Sequence, residues 1–306
     1  MLNTLSKSIF LLFILSFLVR TECRSQMNEL YPDSLHKNRL RAVAIGGAAG
    51  YGITMVGLYQ LWYKDFERTS FHFFDDSRDW LQMDKVGHAY SAYLLSDLTY
   101  TSLRMTGLSN EKAVLYGSLS GWLAVTSIEF FDAHYDGWGF SMADVAANTL
   151  GTALFAAQQL TYKEQRILFK YSFRRTTYAQ YRPGTLGSNF IEEMTKDYNG
   201  QSYWLSANIK SFTGWNFLPD WLNIAAGYSA TGLLGGSENP EFSNGTRLPV
   251  YERERQFYLS PDIDFTKIPT KHKGVKVLFK LLNTVKIPAP ALRLQSGNVR
   301  FLGIYH

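Results

Sequence analysis

Residues 143–174, ADVAANTLGTALFAAQQLTYKEQRILFKYSFR, change period in mid-course. Up to Tyr162 the stretch is apolar and long enough to be a helix rather than a strand. After it, Ile167, Phe169, Tyr171 and Phe173 alternate with Leu168, Lys170, Ser172 and Arg174, the period of two expected of a strand. The switch divides the chain into an apolar helical bundle over 39–163 and an antiparallel β-rich half over 164–306. The fold class read from this is α+β: an N-terminal antiparallel bundle of about four apolar helices, then a sheet or a partial barrel.

Upstream of the switch, three more stretches read as helices: Ala42 to Tyr63, Asp84 to Met105 and Glu111 to Phe131. Each of the four is long enough to cross a bilayer. The first carries Gly46, Gly47, Gly50, Gly52 and Gly57, a load that weakens a helix in water but lets helices approach closely in lipid. Gly46 with Gly50, and Gly117 with Gly121, form G-x-x-x-G pairs. Ser91, Asp97, Ser118, Thr126, Asp144 and Asn148 interrupt the apolar runs, so a buried soluble bundle is the competing reading. Basic flanks (Lys37, Arg39, Arg41; Lys163 to Arg175) alternate with acidic connections (Lys64 to Asp79; Asp132, Asp136), as in a four-span bundle with acidic loops outside.

Composition narrows the class further. Of 306 residues 46% are hydrophobic, 15% aromatic and only 19% charged, against a norm of about 25% charged. That excludes a disordered chain, a collagen, a coiled coil and a disulfide scaffold, and it suits contact with lipid. At the N-terminus, Lys7 precedes an apolar run from Ile9 to Val19, too short to span and read as a signal peptide over 1–25. Cleavage after Ser25 would remove Cys23, the single cysteine, whereas lipidation of Cys23 is opposed by Arg20, Thr21 and Glu22. A cleaved signal and the charge alternation disagree over which side the first basic flank occupies.

The chemistry gathers at one end of the expected bundle. Asp84, Lys85 and His88 open the second helical stretch, with Asp84 and His88 four apart and on one face. Glu129 and Asp132 close the third, and Ser141 and Asp144 open the fourth, with Asn148 one turn on. Up-and-down connectivity brings these ends together. Ionisable groups in apolar helices are costly unless paired or working, which makes His88, Glu129 and Asp144 the candidate catalytic or metal-binding set. Asp84, Lys85, Ser141 and Asn148 are candidate binding residues. Imidazole and carboxylates suit a divalent metal; equally, one carboxylate could hold His88 in the tautomer of a general base. No H-E-x-x-H, G-x-S-x-G or phosphate-cradling loop accompanies them. Structural alternatives stand beside this: Ser141-x-x-Asp144 fits a capping box, Asp84 an N-cap, His88 and Glu129 an interhelical hydrogen bond, and His134 and Asp136 a turn.

The run Asp84-Lys85-Val86-Gly87-His88, the later Glu129, and Ser141, Asp144, Asn148 and Gly151 resemble the pattern of an uncharacterised family of predicted periplasmic lipoproteins (YfiM-like). The arrangement is similar, more distantly, to the VanZ-like membrane proteins. The likeness covers about residues 80–160, and the tail from Arg253 to Pro290 resembles longer members from Bacteroidetes-type envelopes. The resemblance implies an exported envelope protein, periplasmic or outer-membrane-associated, with an inner-membrane bundle as the alternative. It implies a shared polar site and brings no reaction.

Five strands are expected in the second half, around 167–173, 203–210, 222–231, 257–265 and 299–305, too few for a closed outer-membrane barrel. Between Gly274 and Lys286, Val275, Leu278, Leu281, Leu282 and Val285 follow helical spacing among lysines, an amphipathic helix suited to anionic lipid or to packing on the sheet. Arg247, Arg253 and Arg255 form no nucleic-acid stripe. The expected partners are a lipid membrane and an outer-membrane protein. Three functions compete: a structural, lipid-binding or partner-binding envelope component; a membrane-embedded hydrolase or transferase acting on a lipid or lipid-linked substrate; and passage of an ion or solute.

Overall fold

The computed structural model describes residues 27, 30–64 and 66–305. The expected signal peptide and Cys23 lie outside them. The four helices appear as α1 (Lys37–Leu58), α2 (Met83–Arg104), α3 (Asn110–Asp132) and α4 (Met142–Tyr162). The last three pack against one another, whereas no residue of α1 is buried. Lys37–Tyr63 and Asn110–Asp132 are long and apolar enough to cross a membrane. The expectation of four such spans thus reduces to two, because α2 and α4 carry Asp97, Gln158 and Gln159 in their interiors.

The two glycine pairs behave differently. A Cβ on Gly46 or Gly50 would meet nothing within 4 Å, so this pair seats no neighbour among the described residues. A Cβ on Gly121 would lie 2.6 Å from the backbone nitrogen of Ser96, and one on Gly117 2.9 Å from the Ser96 carbonyl oxygen. Here the absent side chains let α2 and α3 touch backbone to backbone.

The helix-to-strand switch has a local cause. Lys163 takes a left-handed conformation (φ 57°) and its N–H caps the Gln159 carbonyl, ending α4. The buried Gln158 side chain then accepts from the backbone N–H groups of Arg166 (3.0 Å) and Ile167 (2.8 Å) and donates to the Ile167 carbonyl (3.1 Å), tying the first strand to the helix.

Six strands form one antiparallel sheet in chain order: β1 (Ile167–Phe173), β2 (Gln201–Asn208), β3 (Leu222–Thr231), β4 (Glu254–Ile263), β5 (Ala289–Gln295) and β6 (Asn298–Tyr305). The sheet is not closed into a barrel. β5 is the strand missing from the sequence reading: Pro290 near its start obscures it, although Ser296-Gly297 marks the hairpin that follows. Short elements cover one end, among them the two-residue hairpin Phe242–Ser243 with Thr246–Arg247. The amphipathic segment is a helix, α5 (Lys273–Leu282).

The two faces of the sheet are reversed relative to a soluble protein. Phe169, Leu205, Ala226, Leu259, Leu292 and Phe301 face one another in register across all six strands. At β1 this apolar row is covered by α2, where Phe169, with Tyr203 two residues before Leu205 on the same face of β2, joins Met83 and Tyr93 in the main core. Beyond that it is bare: Leu259 is 47% and Phe301 70% exposed. The opposite face is polar and buried, with Ser202, Ser206, Asn223, Ser229, Gln256, Ser260 and Asp262 all inaccessible. The sheet curls over this face until Tyr305 of β6 packs on Trp204 of β2, ring centroids 5.3 Å apart. Gly227 makes room, since a Cβ there would lie 2.6 Å from the Trp204 ring. Inside the curl Lys170 and Asp262 pair at 2.8 Å with neither side chain exposed.

Candidate functional site

Asp84, Lys85, His88, Glu129, Ser141, Asp144 and Asn148 converge at one end of the packed helices. Three consecutive non-glycine residues in the left-handed region, Trp80 (φ 51°), Leu81 (50°) and Gln82 (63°), turn the chain into α2. Such backbone costs about 1–3 kcal/mol per residue and persists only where the surroundings hold it. Here Trp80 N–H donates to the Gly236 carbonyl (2.8 Å), and the Tyr228 hydroxyl donates to the Leu81 carbonyl.

Gln82, not Asp84, takes the N-cap position of α2, so the N-cap expected at Asp84 is not found. The Asp84 carboxylate is instead committed to the cluster. Its Oδ1 accepts from the Tyr198 hydroxyl at 2.6 Å, and its Oδ2 lies 2.9 Å from Lys85 Nζ. Burial lifts the Tyr198 hydroxyl well above its ordinary pKa, and the adjacent Asp84 adds to this, so Tyr198 remains a donor. Of the capping box expected at Ser141 only the N-cap half forms: Asp144 N–H donates to Ser141 Oγ at 3.1 Å, while the Ser141 N–H donates to Glu129 Oε2 at 3.3 Å instead of to the Asp144 side chain. The Asp144 side chain works in the cluster, its Oδ2 2.9 Å from Lys85.

Lys85 is therefore clamped by three carboxylates, those of Asp84, Asp144 and, at 2.6 Å, Asp76. Asp76 also accepts from Ser141 Oγ at 2.6 Å. A lysine so neutralised is a poor receptor for an anionic substrate, and it acts as a pin that orients the carboxylates. On their other side stands His88. Its Nδ1 lies 3.2 Å from Asn148 Oδ1 and 3.5 Å from Glu129 Oε1, and its Nε2 lies 3.9 Å from Asp84 Oδ1 and 4.0 Å from Asp144 Oδ1. Glu129 Oε1 and Asp144 Oδ1 are buried without a hydrogen-bond partner among the described residues. Two such oxygens beside one imidazole are an electrostatic debt that the protein alone leaves open.

The cluster forms one wall of a cavity of about 770 Å³. Other walls are apolar and aromatic, including Leu58, Trp62, Phe66, Phe74, Trp80 and Trp138, with Arg182 and Gly184 at the side of the C-terminal half. Asp79 also lines it, its carboxyl raised above the ordinary range by burial and by neighbouring Asp76. His134 and Asp136 stay in the loop after α3, where His134 Nδ1 meets the Phe130 carbonyl at 2.7 Å. Asp132 accepts from the Tyr63 hydroxyl (2.6 Å).

Asp76 and Tyr198 were not found from sequence. Asp76 sits in the acidic run DDSRD, which gives a weak signal, and Tyr198 stands 114 residues from its partner Asp84 with no local signal at all.

Residues 72–161 match the model of a family described as predicted periplasmic lipoprotein (DUF2279). This span contains Asp76, Asp84, Lys85, His88, Glu129, Ser141, Asp144 and Asn148, and excludes Tyr198 and the sheet. It agrees with an exported, envelope-associated protein and attaches no reaction to it. No curated protein and no solved structure matches the chain.

Proposed function

We propose that this envelope protein binds an amphipathic, lipid-class molecule in the cavity, its polar end at the Asp84, His88, Glu129 and Asp144 cluster and its apolar part along the aromatic walls. The observation that carries this reading is the cavity itself, large enough for part of a lipid and divided into an ionic wall and an aromatic one. A bilayer is the source of such a molecule, and the surface suits one. The apolar row of the sheet is bare over β4–β6, and α1 buries nothing. In α5 the apolar Leu278 and Leu281 face outward while Lys280 turns inward to Asp97 at 2.5 Å. A soluble helix would be arranged the other way round.

Gly184 provides the test, because it lines the cavity and a Cβ there meets nothing within 4 Å. Gly184→Trp is expected to fill the space without disturbing the fold. Native mass spectrometry of the detergent-extracted full chain should show a co-purifying lipid, with occupancy about tenfold lower in the variant, equivalent to about 1.4 kcal/mol. No lipid on the wild type, or equal occupancy in a folded variant, defeats the reading.

One observation favours a second reading, a hydrolase or transferase acting on a lipid or lipid-linked substrate. His88 stands between two buried carboxyl groups, Glu129 and Asp144, each with one oxygen that no described residue satisfies, an arrangement able to hold and move a proton. On this reading His88 is the base and Glu129 orients it. Turnover of lipid or lipid-linked substrates by wild type should then fall by about 10²–10⁴-fold in folded His88→Gln. Equal rates in both proteins would remove His88 from any chemistry.

A further inference from the structure

We infer that Asp84 Oδ1, His88 Nε2 and Asp144 Oδ1 form a site for a divalent transition-metal ion, zinc or manganese, with Glu129 as the carboxylate that orients the histidine. This deepens the reading of the cavity above by naming the ion at its polar end, and it rests on that reading for the choice of this wall as the ligand-facing one.

The direction of each hydrogen bond carries the argument. Asn148 gives its amide N–H to Thr126 Oγ1 (3.3 Å), which turns its oxygen toward His88 Nδ1 at 3.2 Å. Glu129 Oε1 lies on the same ring nitrogen. With two acceptors beside it, Nδ1 carries the ring proton, and in the neutral imidazole Nε2 is left as a lone-pair donor. Nε2 faces Asp84 Oδ1 and Asp144 Oδ1, two further acceptors. Three electron-pair donors thus converge, all within 4.8 Å of one another.

A proton on Nε2 does not resolve the convergence. The separations of 3.9 and 4.0 Å exceed any N–H···O bond, so neither carboxylate receives it. Two ligands of a tetrahedral ion with bonds of about 2.0–2.2 Å stand roughly 3.3–3.6 Å apart, so a side-chain shift of a few tenths of an ångström brings both oxygens and the nitrogen into one ion's shell. Charge points the same way. Among the described residues Asp76, Asp84, Glu129 and Asp144 pair with the cations Lys85 and His88 alone, so the group stays net negative even with an imidazolium. Lys85 does not compete for the inner oxygens, because it holds Asp84 and Asp144 by Oδ2 and leaves each Oδ1 turned toward the imidazole. Asp144 Oδ1 is buried and has no hydrogen-bond partner among the described residues, an independent sign that this wall accepts a cation.

One nitrogen and two carboxylate oxygens favour zinc or manganese over magnesium or calcium, which take oxygen alone. The Glu129–His88 contact is the outer-shell partner usual for a metal-bound histidine. Three protein ligands leave a coordination position toward the cavity, where a phosphate or carboxylate of a ligand could complete the shell.

The test uses the full chain in detergent, stripped with EDTA and titrated with zinc chloride or manganese chloride. Wild type should take up one ion per chain. X-ray absorption of the loaded protein should show one imidazole nitrogen among oxygen ligands, a readout that needs no variant. Asp144→Asn and His88→Gln should each weaken uptake by at least about 100-fold, and Glu129→Gln by about 10–100-fold. Lack of uptake by wild type, a spectrum without imidazole, or undiminished uptake in both ligand variants overturns the inference. Co-purified lipid on a protein that takes no metal overturns the metal site while leaving the cavity reading intact. Metal uptake without lipid does the reverse.

Discussion

Asp262→Ala is expected to destabilise the protein by about 3–5 kcal/mol, the usual consequence of removing one partner from a buried ion pair. Lys170 and Asp262 are both fully inaccessible and 2.8 Å apart, and Lys286 adds a second ammonium 3.6 Å from the other carboxylate oxygen. Ser206 Oγ donates to Asp262 at 2.6 Å, so the carboxylate joins β1, β2, β4 and the segment before β5 at one point. Alanine leaves two ammonium groups under the curl of the sheet beside Trp204, where Lys286 Nζ lies 5.2 Å from the ring centroid. Their mutual repulsion would open the polar face to water. Denaturant titration followed by tryptophan fluorescence measures the effect. The triple change Lys170→Met, Asp262→Leu, Lys286→Met should recover most of the loss, because apolar replacements of similar volume demand no pairing. A loss below about 1 kcal/mol in Asp262→Ala would mean that water reaches the pair, contradicting its burial.

Gly151→Leu is expected to cost more than the about 1–3 kcal/mol typical of overpacking and to dismantle the candidate site. A Cβ on Gly151 would lie 1.9 Å from the Ala89 carbonyl oxygen and 2.9 Å from its Cα. These are backbone atoms, so no rotamer change relieves the clash, and α2 and α4 must separate. Ala89 follows His88, and Asn148 lies one turn before Gly151, so separation withdraws His88 from Asn148 and Asp144 together. Thermal unfolding compared with Gly46→Ala provides the control. Gly46 has open space around it, and alanine there should be neutral or stabilising by about 0.5–1 kcal/mol through helix propensity. Equal melting temperatures for wild type and Gly151→Leu would refute the close contact of α2 with α4.

The site was legible as far as its residues lie on regular helices. Asp84 and His88 share a face at spacing four, and alternating helix directions bring the start of α2, the end of α3 and the start of α4 to one end, so His88, Glu129 and Asp144 could be grouped from spacing alone. The role of Lys85 could not. A lysine near a cavity reads as an anion receptor until Asp76, from an irregular loop, is seen to complete its cage. Tyr198 was hidden for the same reason, since a loop in the second half delivers its hydroxyl to Asp84. The helical spans were over-read, because Asp97, Gln158 and Gln159 look tolerable in a window average and are in fact buried hydrogen-bonding and ion-pairing groups.

Periodicity and composition by themselves determined the two-part α+β layout, the apolar character of the helices and the aromatic texture of the strands, because these depend on residues near one another in the chain. Which sheet face is buried was beyond them: alternation says that two faces differ, and only the curl that sets Tyr305 on Trp204 makes the polar one the interior. The orientation of the carboxylate oxygens around His88 was likewise decided in three dimensions. It follows from hydrogen bonds across helices and loops up to 114 residues apart, and no local pattern encodes the direction in which a lone pair points.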